Sequence, residues 1–240
     1  MSDKLKLGVL ISGRGSNLQS LIDATQDPNF PAEIVTVITN VPDVAGLDRA
    51  TKANIPTTVI NHKDFDGRAP FEDALHAALQ EAGVELVCLA GFMRLLTDGF
   101  VNRWLDRMIN IHPSLLPSFK GLHTHERAIK AGVRFSGCTI HFVRPEMDDG
   151  PIIAQAAVPI RQDDTADSLA ARVLVEEHKI YPLAVRLIAE NRVSIENSCV
   201  KIEGASHSEQ ALINPNLQAS WILACAKMTE FLSIGFHDVR

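Results

Sequence analysis

From Leu5 onward, short runs rich in β-branched residues alternate with segments of helical periodicity, and few folds accept that order. The runs fall at residues 5–11, 34–39, 57–60, 85–90 and 108–111. Continuous apolar runs of this length suit strands covered on both faces, and strands separated by helices run parallel. The clearest helix is expected over residues 70–82, where Phe71, Ala74, Leu75, Ala78 and Leu79 recur at spacings of three and four before Gly83 ends it. The pattern then breaks. Runs at 138–143 and 152–160 flank the turn-rich RPEMDDGP, which predicts an antiparallel pair. The expected fold class is therefore α/β: an open, mostly parallel Rossmann-like sheet with helices on both faces and an antiparallel C-terminal portion. Asp164 and Thr165 can cap a long helix through Leu169, Val173, Leu174, Glu177 and Ile180, with Pro182 kinking it or starting a new turn. Short strands at 193–195 and 200–202 are expected to close the domain.

Without internal repeats or a Gly-, Ser- or Pro-rich linker, one domain over 1–213 is expected, with lobes of about 1–104 and 105–213. The extension 214–240 contains the apolar ASWILACAKMTEFLSIGF, expected as a C-terminal helix or a poorly ordered extension, with packing on a second copy in a homodimer as the alternative. Among the 240 residues, 23 Lys and Arg stand against 29 Asp and Glu, a net charge of −6 that argues against a nucleic-acid partner. No run reaches the roughly 18 apolar residues of a membrane span. Cys88, Cys138, Cys199 and Cys225 are far apart, as suits reduced thiols and a cytoplasmic location.

The first strand runs straight into Ser12-Gly13-Arg14-Gly15-Ser16-Asn17, followed by a helical pattern at Leu18, Leu21 and Ile22. Glycines allow a tight turn and close backbone approach, and a helix N-terminus favours negative charge, so phosphate is the natural guest. Leu18 stands where a dinucleotide fingerprint needs its third glycine, and no P-loop lysine follows, which disfavours NAD and ATP. The alternative is a plain strand–turn–helix connection.

The string NIHPSLLP begins at Asn110, at the carboxyl end of an expected strand, where open α/β sheets place ligands. Strand periodicity sends Asn110 and His112 to the same side. An amide can donate to an oxyanion, and an imidazole can donate or shuttle protons near neutral pH. The bland alternative is a loop-anchoring Asn and a core-edge His. His123 and His125, with His141 on a later strand, raise zinc; H-x-H lacks a recognisable third ligand, so no metal is expected, and the pair reads instead as capping a helix over 126–131 or contacting a polar ligand. In EMDDGP, Asp148 and Asp149 either form a solvated acidic turn or send one carboxylate inward to His112.

These segments together closely resemble the phosphoribosylglycinamide formyltransferases, folate-dependent enzymes of purine biosynthesis. The resemblance covers most of residues 5–203 and rests on LISGRGSNLQSLIDA, LAGFMRLL, NIHPSLLPSFKGLHTHERAI, the HFV-x-x-E-x-D-x-GP stretch and EEHKIYP. It implies transfer of a formyl group from the cosubstrate 10-formyltetrahydrofolate to the amine of glycinamide ribonucleotide, with small-molecule substrates and no metal. It assigns catalysis to Asn110, His112 and Asp148, and the ribonucleotide to Gly15, Ser16, Asn17 and Glu177. Arg68, Met93, Arg94, Leu95, Leu96 and Asn110 match the folate side. Two positions depart from the pattern: Asp149 replaces a small residue, and Leu174 stands where some members carry Gln near the ribose.

The same trio resembles that of formyltetrahydrofolate hydrolase and methionyl-tRNA formyltransferase. A first strand at Leu5 leaves no room for the hydrolase's regulatory domain, and the residues after Pro215 are too few for an RNA-contacting domain. The GLHTH string and the glycine loop favour the ribonucleotide acceptor. A non-catalytic nucleotide- or folate-binding module is the remaining alternative, and retention of all three trio residues argues against it.

Overall fold

A seven-stranded sheet built on one central strand organises the molecule. In the computed structural model, which describes residues 4–205 together with Leu212 and Asn214, the strands are β1 (Leu5–Ile11), β2 (Ala32–Thr39), β3 (Thr57–Val59), β4 (Leu86–Leu89), β5 (Met108–His112), β6 (Phe135–Phe142) and β7 (Ile152–Pro159). Their spatial order is β3-β2-β1-β4-β5-β6-β7. Pairing is parallel from β3 to β5 and antiparallel where β6 and β7 are added. The expected α/β sheet with its antiparallel portion is thus observed.

The chain moves outward from β1 to β2 and β3, then returns to β4 on the other side of β1. This order makes the connections after β1 and β4 leave in opposite directions and open a crevice at the carboxyl ends of the strands. The helices α1 (Ser16–Thr25), α2 (Ala45–Lys52), α3 (Arg68–Glu81), α4 (Asp98–Arg103), α5 (Thr124–Lys130) and α6 (Ala166–Ala189) accompany the strands. Alternation along the strands sorts their side chains into two cores. Leu7, Val9 and Ile11 pack with Leu18 and Leu21 of α1 and Val173 and Tyr181 of α6. Leu10 faces the other way, onto Phe71, Leu75 and Leu79 of α3. A Cβ on Gly8 would lie 2.7 Å from the Leu79 side chain and 2.8 Å from Val84, so the bare backbone there lets α3 lie close to β1.

Boundaries and details depart from the sequence expectation in several places. The helix expected over 70–82 begins earlier, at Arg68, and tolerates Pro70 near its start because early N–H groups lack intrahelical partners anyway. α6 starts no new element at Pro182 but runs on through it to Ala189. Thr165 and Ser168 form a reciprocal capping box at its start. The Tyr181 hydroxyl donates to the Leu89 carbonyl at 3.0 Å, pinning the helix to the end of β4. The last two strands, β8 (Val193–Glu196) and β9 (Cys199–Ile202), pair with each other in a separate hairpin and do not join the main sheet. Asn197 and Ser198, both at positive φ, make the turn.

The described residues up to Ala205 belong to one compact unit. The expectations for the 214–240 extension, and Cys225 with them, fall outside the described residues. Burial pushes the thiols of Cys88 and Cys138 up to about 12, while Cys199 is exposed. No helix among the described residues is long and apolar enough to cross a membrane.

Candidate active site

The glycine loop closes β1 onto α1 through a left-handed residue. Gly15 has φ 69° and ψ 34°, and no side chain caps the helix that starts at Ser16. The first-turn N–H groups of α1 therefore form an anion-attracting end. A second glycine, not singled out from the sequence, makes this turn fit. Gly46, at the start of α2, donates its N–H to the Gly13 carbonyl at 3.1 Å. A Cβ on Gly15 would lie 2.8 Å from the Gly46 Cα, and one on Gly46 would lie 2.4 Å from Ile11 Cδ1. Arg49 fastens the same loop, donating from Nε to the Arg14 carbonyl at 2.9 Å and from Nη1 to Gln19 at 3.1 Å.

Asn17 and Glu177 are 160 positions apart in sequence and meet where α1 packs on α6. The Asn17 amide donates to Glu177 Oε2 at 2.7 Å. Both residues are buried, and Asn17 Oδ1 has no hydrogen-bond partner. An orphaned buried acceptor costs about 1–3 kcal/mol, which a hydroxyl-bearing ligand can recover. Burial raises the Glu177 carboxyl above its ordinary value, and the Asn17 amide pulls it partly back. Folding thus disfavours the ionised form, so this group's contribution is lost as pH climbs from 4.5 through the raised folded value and is constant above it. Glu177→Gln is expected to flatten that limb in urea-denaturation profiles recorded from acid to neutral pH, so that variant and wild type diverge only as pH rises. Parallel profiles would show that Glu177 is not penalised by burial.

At the end of β5, Asn110 and His112 share the parity of Met108 and lie on the same side of the strand, as their spacing predicts. The His112 side chain is only 7% exposed, and its Nδ1 lies 3.4 Å from Asp148 Oδ2. On the other side of the ring, Nε2 lies 3.1 Å from the Phe119 carbonyl oxygen. Both neighbours are acceptors, so a ring carrying protons on both nitrogens can donate to each. Asp148 adopts φ 52°, a left-handed conformation that Asp tolerates better than most residues. Its Oδ2 also accepts from the Gly121 N–H at 2.8 Å. Asp149 turns the opposite way and pairs with Lys120, its side chain 54% exposed.

His141, opposite Asn110 in the antiparallel pair, completes this cluster. Burial lowers its pKa, and its Nδ1 lies 3.0 Å from the Phe142 carbonyl. A neutral ring donating from Nδ1 leaves Nε2 as the acceptor for the Asn110 amide at 3.3 Å. His141 Nε2 is also 3.9 Å from Asp148 Oδ1. The remaining Asn110 N–H can face a reacting oxygen.

Polar side chains pin the chain after His112. The Thr139 hydroxyl donates to the Ser114 carbonyl at 2.7 Å and accepts from the Leu116 N–H at 3.1 Å. The Gln155 amide donates to the Leu116 carbonyl at 2.9 Å, and Leu116-Pro117 is cis. The expectation that His123 and His125 cap the next helix does not hold. α5 starts at Thr124, and its N-cap His123 makes no side-chain capping bond. At φ 55° the His123 side chain leans instead toward Glu126, 3.3 Å away. His125 Nδ1 is buried without a partner, and burial first, then the charge of nearby His112, lower its pKa. Among the described residues no group of three or more His, Cys, Asp or Glu is gathered as a metal site requires.

Besides Asn110 on β5, the residues expected on the folate side lie at the start of α3 and in the segment after β4. Arg68 begins α3, exposed. Met93, Arg94, Leu95 and Leu96 lie in the irregular segment after β4, with Met93 70% and Leu95 63% exposed. Leu89 at the end of β4 pairs with Asn110, so this segment leaves the sheet beside the trio. Its start is tied to the glycine loop by the Ser12 N–H donating to the Gly91 carbonyl at 3.2 Å.

A family model described as formyl transferase matches residues 5–185. Phosphoribosylglycinamide formyltransferase of Haemophilus influenzae is 41% identical over 209 residues, which are 87% of this chain and 99% of that protein. The trifunctional purine biosynthetic protein adenosine-3 of Bos taurus is 53% identical over 192 residues, 80% of this chain but 19% of that protein. The chain thus spans about a fifth of the length of that multifunctional relative. The crystal structure of glycinamide ribonucleotide transformylase 1 from Symbiobacterium toebii aligns with a TM-score of 0.82 at 44% identity, over 84% of this chain and 95% of that one. A match that runs through the glycine loop, the β5 end, the Asp148 turn and α6 joins the sequence pattern to the observed geometry: the chain belongs to the formyl transferase family.

Proposed function

We propose that the chain transfers the formyl group of 10-formyltetrahydrofolate to the primary amine of N1-(5-phospho-D-ribosyl)glycinamide. The observation that carries this reading is the convergence, at the carboxyl ends of β1, β4 and β5, of an uncapped glycine-turn helix end with an amide–imidazole–carboxylate trio. Gly15, Ser16 and Asn17 bind the phosphate through backbone and side-chain donors, and Glu177 accepts from the ribose hydroxyls. Arg68, Met93, Arg94, Leu95 and Leu96 receive the folate: apolar side chains contact its rings, and the guanidinium groups attract its carboxylates.

The amine lone pair attacks the formyl carbon, and the carbonyl electrons move onto oxygen. The free Asn110 N–H donates to that oxyanion, and protonated His112, its two N–H groups held by Asp148 and the Phe119 carbonyl, stabilises it by its positive charge. The amine gives up a proton as the oxyanion collapses, and the carbon–nitrogen bond to folate N10 breaks with N10 taking a proton, so protons and charge balance. Asp148 sustains the protonated imidazole and orients it.

The deciding experiment supplies the full chain with 10-formyltetrahydrofolate and, separately, the ribonucleotide, water alone and charged initiator tRNA as acceptors. Formyl transfer to the ribonucleotide is expected to dominate. Release of formate with no acceptor dependence would instead make the protein a hydrolase, and preferential formylation of tRNA would reassign the acceptor.

A further inference from the structure

The segment 92–97 that follows β4 has no helix or strand of its own. Buried side chains hold both of its ends. At the start, the Met93 N–H donates to Ser12 Oγ at 2.8 Å, and that hydroxyl donates to Asn40 Oδ1 at 2.6 Å, Asn40 being 3% exposed. At the end stands Glu72, on α3. Its Oε1 accepts from the Thr97 N–H at 2.8 Å, and its Oε2 accepts from the Thr97 hydroxyl. Thr97 is also the N-cap of α4, its Oγ1 accepting from the Phe100 N–H at 3.3 Å.

Glu72 is a carboxylate only 3% exposed. A buried carboxylate is costly unless its acceptors are engaged, and a neutral side chain would serve an ordinary loop anchor at lower cost. No ion pair among the described residues joins Glu72 to a cation. Its two oxygens spend themselves on one residue, the last of the segment. Four positions earlier on the same helix face stands Arg68. Glu72 therefore ties the helix turn that carries Arg68 to the end of the segment that carries exposed Met93 and Leu95.

From this geometry we infer that Glu72 is a positioning residue of the formyl-donor subsite, setting the spacing between Arg68 and the 93–96 segment before the donor arrives. The inference rests on the proposal that these residues receive a folate. Glu72 touches no substrate; it acts by preorganisation, so its loss weakens donor binding and spares the acceptor subsite at α1 and α6.

The test uses the full chain with Glu72→Gln, which keeps the volume but gives up one charged acceptor oxygen, and with Thr97→Val and Thr97→Ser. In Glu72→Gln the donor KM is expected to rise about tenfold, the effect of losing one charge-assisted hydrogen bond, while the ribonucleotide KM stays within about twofold. Calorimetric affinity for a non-transferring folate analogue should fall by the same factor as the donor KM rises. Thr97→Val should show part of this loss and Thr97→Ser almost none. Hydrogen exchange at the Thr97 amide should quicken in Glu72→Gln, a readout that does not depend on turnover. Unchanged analogue affinity in Glu72→Gln would overturn the inference, as would an equal rise in both KM values. Failure of the wild-type chain to bind the analogue would overturn the folate reading itself, separating the two.

Discussion

Asn110→Ala and His112→Ala are each expected to lower turnover by about 10² to 10³ with the fold intact, the usual cost of removing one preorganised donor or fixed positive charge from a developing oxyanion. Such donors matter because they are aimed before reaction and replace water, so no dipoles must reorient as charge appears. Both residues meet that condition here. Asn110 is held by the neutral His141 ring through one N–H, which directs the amide plane. The His112 ring is clamped from both sides, by the Phe119 carbonyl and by Asp148. Turnover under saturating substrates, with thermal melts as the control on folding, decides the matter. Near-normal turnover in either variant would remove that residue from the chemical step, and a collapsed melt would assign it to the core. Because Asn110→Ala also deprives His141 of its partner, Asn110→Asp provides a second arm. It keeps the shape but replaces the donor with an acceptor, and should be at least as impaired.

Asp148→Asn should cost about 10² or more in turnover, because a charged group that steadies an imidazolium is replaced by a neutral one. Asp149→Asn should cost less than about twofold, since an exposed ion pair contributes little. The two carboxylates are adjacent, and their separation is geometric. At φ 52° the backbone of Asp148 directs its Oδ2 to both the Gly121 N–H and His112 Nδ1. Asp149 points outward to Lys120. The amide in Asp148→Asn can still accept from Gly121 and so keeps the turn, which isolates the charge as the variable. A large loss confined to Asp149→Asn would mean that Lys120 and Asp149 carry the function. Equal mild effects would leave the imidazolium without its counter-charge.

Much of this architecture is written in local patterns. Residues 7–11 announce a strand buried on both faces because every second side chain must satisfy one of two cores, and both sets are apolar. The same period of two places Asn110 and His112 together without any knowledge of the partner strands. The turn at Gly15 is legible because a left-handed residue that opens a helix has few alternatives to glycine. Local pattern therefore suffices for whatever depends on neighbours within a few residues: the alternation of elements, the parallel sheet and the glycine loop. Tertiary structure alone decided the rest. The choice between Asp148 and Asp149 lies in the dihedral angles of an irregular turn, for which no periodicity exists. Gly46 is needed only because another segment brings Gly15 within contact, and Asn17 meets Glu177 only once α6 lies on α1. Glu72 reads locally as one more polar position on a helix, and burial against Thr97 makes it an anchor. Likewise, β8 and β9 have strand-like composition, but whether they extend the main sheet or pair with each other depends on which edge lies within reach after α6. Such contacts join segments far apart in the chain, and their energies exist only after the backbone has brought them together.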